Sequence, residues 1–149
     1  MLIPLIKFLH LAAAITWLGG IGFMLFALRP AAMTTLEPPH RLRLIAAALQ
    51  RFFRIVRVAI IVLAVTGVTM IANVGFRNAP LGWHLMFGTG IVMFAIFGHL
   101  DAGPARRMQH AVAASDWPAA GAQMKKIPPL ATTIFVLGWI AVAAMRFVA

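Results

Sequence analysis

LGWHLMFGTGIVMFAIFGHL, residues 81–100, runs for twenty positions without a single Lys, Arg, Asp or Glu. A helix needs roughly 20 apolar residues to cross a hydrocarbon core about 30 Å thick. Lipid offers the backbone no hydrogen-bond partners, so a run of this kind must pair its own N–H and C=O groups as a helix. Pro80 stands before it and Asp101-Ala-Gly-Pro104 behind it, and these breakers set its expected ends. Working outward, three more segments qualify. One covers about 2–28 and ends before Arg29-Pro30; another covers about 55–74, its helix starting near Arg41 after Pro38-Pro39; the last covers about 130–148, after Pro128-Pro129. The expected fold is all-α: a single membrane domain over 1–149, built as a bundle of four transmembrane helices.

Composition agrees. Hydrophobic residues make up 62% of the 149, against about half in soluble domains. Thirteen Lys and Arg face only three acids, Glu37, Asp101 and Asp116. Such a balance also suits nucleic-acid binding, but these cations gather in the connections between apolar runs, which points to a membrane surface and not to nucleic acid. No cysteine occurs, so disulfides and thiolate metal sites are excluded. The N-terminus shows neither a basic region ahead of its apolar run nor a small-residue cleavage site, and it is expected to stay as the first helix.

The cations also orient the bundle. Arg29, Arg41, Arg43, Arg51, Arg54, Arg57, Arg106, Arg107, Lys125 and Lys126 lie in or beside the 1–2 and 3–4 connections. Only Lys7, Arg77 and Arg146 lie toward the other face. The positive-inside rule then puts those connections in the cytoplasm, and both termini and the 75–80 loop in the periplasm, for a multi-pass inner-membrane protein. The stretch 41–57, RLRLIAAALQRFFRIVR, reads as a basic amphipathic extension that lies on anionic lipid or docks a cytoplasmic partner. In the 104–127 loop, Ser115-Asp116-Trp117-Pro118 has the form of a helix start, and two short interfacial helices are expected there.

Polar groups inside a span are costly and mark functional positions. His10, His84 and His99 qualify, while His40 and His110 fall in solvated loops. At about 1.5 Å per residue, His10 and His84 differ in depth by roughly 7–8 Å, within reach of a shared centre. His99 lies about 22 Å deeper than His84, toward the cytoplasmic face. On the first helix His10, Ala13, Ala14, Trp17 and Ile21 share one face, and on the third His84, Gly88, Ile91 and Ala95 do the same. Small residues beside each histidine allow close helix packing or make room for a flat cofactor. The second span adds Thr66, Thr69, Met70 and Asn73 on one face. Thr66, Thr69 and Asn73 suit outer-shell support of an imidazole or plain interhelical hydrogen bonding, and Met70 suits a soft ligand. His10 and His84 are therefore the candidate metal or haem-iron ligands, with His99 and Met70 as additional ones and Trp17 and Gly88 as pocket walls. Lys7, Arg77 and Arg146 ring the same end, as snorkelling anchors or as partners of haem propionates. Met24, Met86, Met93 and Met145 read as lipid-facing residues or core filler.

Three segments carry a family resemblance: FLHLAAAITWLGGIGFMLFALRPAA (8–32), APLGWHLMFGTGIVMFAIFGH (79–99) and DWPAAGAQMKKI (116–127). Together they resemble the copper-resistance protein D family in its short four-helix form, most specifically through H-x6-W-x-G-G at His10, Trp17, Gly19 and Gly20. The resemblance implies an inner-membrane protein of copper uptake or tolerance that works beside a periplasmic copper chaperone. The first and third spans are more distantly similar to HemJ-type protoporphyrinogen oxidases, which bind haem b. Their first-helix histidine and late third-helix histidine correspond to His10 and His99, but their third-helix lysine has no counterpart in Trp83-His84-Leu85-Met86-Phe87.

Two functions stay open at this point: copper handling at His10 and His84, and haem b electron transfer through the same residues with a redox partner. A structural or assembly subunit is a third. The spans hold no acid and no serine near a histidine, so a hydrolase is not expected, whereas haem would make the chain an oxidoreductase. A path for copper across the third span finds only Thr89 as a polar step between His84 and His99. Oligomeric state is left open, a homo-oligomer included.

Overall fold

A computed structural model describes residues 1–148. Helix α1 (Leu2–Phe23) passes through a π-helical turn, Met24–Leu28, into α2 (Arg29–Thr35). Helix α3 (Pro38–Val74) follows, then a 3-10 turn at Phe76–Asn78 and α4 (Leu81–Leu100). A second π-helical turn, Asp101–Ala105, leads into α5 (Arg106–Ala113); α6 (Trp117–Met124) and α7 (Ile127–Phe147) complete the described chain. The continuous helical stretches Leu2–Thr35, Pro38–Val74, Leu81–Ala113 and Trp117–Phe147 are each long and apolar enough to cross a membrane. With 37 residues, α3 is about 55 Å long and overshoots a 30 Å core, its surplus being the basic first half.

Two expected ends are not ends. Neither Arg29-Pro30 nor Asp101-Ala-Gly-Pro104 stops its helix. In the first turn the Arg29 N–H reaches back five residues to the Met24 carbonyl, and Pro30 then sits where its missing N–H costs nothing. Pro104 lies inside the second turn, where the wider ring of a π-helix takes up a residue that would otherwise clash with the preceding turn. The Ser115-Asp116-Trp117-Pro118 start does open a helix. The Asp116 carboxylate accepts the Ala119 N–H at 3.1 Å, ahead of Pro118 in the first turn of α6.

Helix α1 packs along α3, and α4 along α7. The core fills the end that carries the 36–37 and 101–127 connections, where Leu42, Ile45, Leu49, Phe53, Met108 and Met124 are buried. Toward the end that carries the termini, burial thins and the two pairs enclose a cavity. Large apolar side chains such as Phe8, Ile15, Phe26, Ile61, Val65, Ile91 and Ile140 face outward, as lipid requires.

Asp101 pairs with Arg57 and not with His99. The pair is bidentate, with Nε to Oδ2 and Nη2 to Oδ1 both at 2.8 Å, and it ties α3 to the turn after α4. Arg57 is 56% exposed, so water screens much of the attraction. Asp101→Asn is expected to cost only about 0–1 kcal/mol, read from the thermal melt of helical circular dichroism in detergent.

Candidate metal site

Each long helix presents one stripe of 3.6-residue period to the cavity. Helix α1 gives Lys7, His10, Ala14 and Trp17; α3 gives Leu63, Gly67 and Met70; α4 gives Met86, Gly90, Met93 and Phe94; α7 gives Gly138, Ala141 and Met145. The enclosed volume is about 600 Å³, within the range of small-ligand sites.

His10 is the polar centre of this wall. Its Nδ1 lies 2.8 Å from the buried Thr66 hydroxyl. That hydroxyl has one hydrogen, and it donates it to the Val62 carbonyl one turn back. Thr66 therefore accepts from His10, which assigns the proton to Nδ1 and leaves Nε2 with a free lone pair. Gly67 lies against the ring: a β-carbon there would stand 3.5 Å from Cε1.

His84 is placed differently. Its Nδ1 is 3.1 Å from the Pro80 carbonyl and its Nε2 is 2.9 Å from the Phe76 carbonyl. The ring stands edge-on to Phe76, centroids 4.6 Å apart, and takes no part in the cavity wall. One turn into α4, an imidazole reaches back to the loop it follows more readily than across the bundle. The structure thus gathers His10, Thr66, Met70 and Trp17 but does not bring His10 and His84 to a common partner.

The remaining residues sort by exposure. His99, Thr69, Asn73 and Gly88 are exposed and outside the cavity wall, and Thr69 donates to the Val65 carbonyl at 2.7 Å. Arg77 and Arg146 are exposed near the terminal end, and Lys7 lines the cavity. Sequence reasoning missed Met86, Met93 and Met145, which line the same cavity as Met70. A signal was present: Met86 and Met93 are seven residues apart and so share a helix face. Among the described residues no group of three His, Cys, Asp or Glu is arranged to hold a metal ion.

Trp17 is the floor. It is 2% exposed, stacks on Phe94 at 5.9 Å and meets Phe97 edge-on at 6.0 Å. Beyond it lies a second cavity of about 50 Å³, lined among others by Met24, Arg29 and Met124. Trp17 borders both.

The family model described as copper resistance protein D matches residues 46–148, well over half of the chain. The chain belongs to the copper resistance protein D family. The match runs from within α3 through α7 and so takes in three of the four cavity walls, while α1, with His10 and Trp17, lies ahead of it. Neither the curated proteins nor the solved structures contain a match. Family and fold together make this a multi-pass membrane protein of copper resistance.

Proposed function

We propose that this chain is an inner-membrane copper-handling protein that admits copper from the periplasm into the 600 Å³ cavity, with His10 Nε2 as its nitrogen ligand. The observation that carries the reading is the chain of hydrogen bonds from His10 to Thr66 to the Val62 carbonyl. It fixes the ring and leaves one nitrogen free at a cavity wall. Metal-bound histidines are typically held this way through their second nitrogen. The excess of cations at the opposite end supports a cytoplasmic placement of that end, so that the termini and the cavity belong to the periplasmic half. A periplasmic copper chaperone would then deliver at the rim that carries Arg77 and Arg146.

His10→Ala is expected to abolish copper binding by the detergent-purified chain in equilibrium competition against a chromogenic chelator. Unchanged affinity would overturn the reading. Thr66→Val keeps the volume but removes the partner of Nδ1, and it is expected to weaken binding by about 10–100-fold. His84 becomes a ligand only by releasing the Phe76 and Pro80 carbonyls, so His84→Ala is expected to leave copper affinity near that of the parent chain.

The cavity supports a second reading. Its volume, its aromatic side chains Trp17, Trp83, Phe87 and Phe94, and Lys7 suit a haem b whose iron His10 would hold and whose propionate Lys7 would face. A Soret band in the purified chain that is lost in His10→Ala would favour this electron carrier over the copper protein.

A further inference from the structure

Four methionines from three helices, Met70, Met86, Met93 and Met145, line the same cavity as His10, and no carboxylate lines it. We propose that the cavity is a monovalent-copper site in which thioether sulfurs from this set complete the coordination begun by His10 Nε2. The inference rests on the copper reading above and names the oxidation state and the ligands.

Thioethers are soft, neutral donors that select Cu(I) and bind hard divalent cations poorly. Charge points the same way. The self-energy of an ion moved out of water grows with the square of its charge, and here no anion offsets it. The ionisable residues on the wall are Lys7, which repels a dication more than a monocation, and His10. A divalent zinc or copper ion would seek carboxylates or several imidazoles, and among the described residues no such cluster exists. The methionine side chain has three rotatable bonds, so sulfurs on facing walls can close on an ion without backbone movement.

The test uses the full chain in detergent, loaded anaerobically with Cu(I) and separately with Cu(II) or Zn(II). Copper-edge X-ray absorption of the Cu(I) form is expected to show sulfur together with nitrogen around the metal. Cu(I) is expected to bind more tightly than either divalent ion. Met86→Leu with Met93→Leu nearly conserves volume, so the fold should persist. This variant is expected to lose sulfur scattering and at least about tenfold in Cu(I) affinity, a change of roughly one decade in Kd. A shell of nitrogen and oxygen alone overturns the inference, as does a variant with all four methionines changed to leucine that binds Cu(I) undiminished. In either case a copper affinity that still depends on His10 leaves the copper reading standing. Failure to bind copper in any state overturns both.

Discussion

Trp17→Ala is expected to lower stability by about 3–5 kcal/mol, the range for removing a large buried aromatic side chain. The ring is 2% exposed and makes a stacked contact with Phe94 and an edge contact with Phe97, which in turn meets Phe53 edge-on at 5.0 Å. Removing it takes out the hub of an aromatic cluster that joins α1, α3 and α4. It also takes away the wall between cavities of about 600 and 50 Å³. Both are lined mainly by apolar side chains, so the merged space is expected to bind xenon more strongly than the parent does, as enlarged apolar cavities do. Trp17→Phe retains a ring and should lose much less. The check is a thermal or denaturant melt of helical circular dichroism in one detergent for all three chains. A Trp17→Ala melt equal to the parent's would contradict the packing described.

Gly82→Val should have an effect of similar scale by the opposite route. A β-carbon on Gly82 would meet the Ala144 carbonyl oxygen at 2.6 Å and the Val148 carbonyl oxygen closer still. Both are backbone atoms and cannot swing aside, so α4 and α7 would have to part. Overpacking of this kind costs about 1–3 kcal/mol, and the absence of any soft neighbour places this site at the upper end. Parting the pair also moves Met86 against Met145, so metal affinity should fall along with the melting temperature. Gly88 is the control: a β-carbon there meets nothing within 4 Å. Gly88→Ala is expected to be neutral, or stabilising by about 0.5–1 kcal/mol, as alanine for glycine within a helix allows.

The four long helices could be read from sequence because lipid leaves an uncharged twenty-residue run one conformation, and residues 81–100 are such a run. Their ends could not. Pro30 and Pro104 are breakers in an ideal α-helix, but a π turn absorbs each, and no simple residue pattern announces such a turn. His10 and Thr66 stood out as polar groups in apolar spans, and they do meet. The expected convergence of His10 and His84 rested on equal depth, which says how far along a helix a residue sits but not which way its ring turns. At the start of α4 the nearby carbonyls of Phe76 and Pro80 captured that ring. The methionines were overlooked for another reason. Taken singly, each is indistinguishable from core filler, and only the divergence of two helix pairs, a tertiary property, gathers them around one space.

The π turns at Met24–Leu28 and Asp101–Ala105 each hold one more residue than an α-helical turn would. Deleting a single residue from either would restore ordinary pitch and swing everything downstream by about 100° around the helix axis. The buried Ala32 of α2, or Met108 and Ala111 of α5, would then turn away from the core they pack into. At these two places the chain is constrained in length more than in composition: it should accept many substitutions there and few deletions.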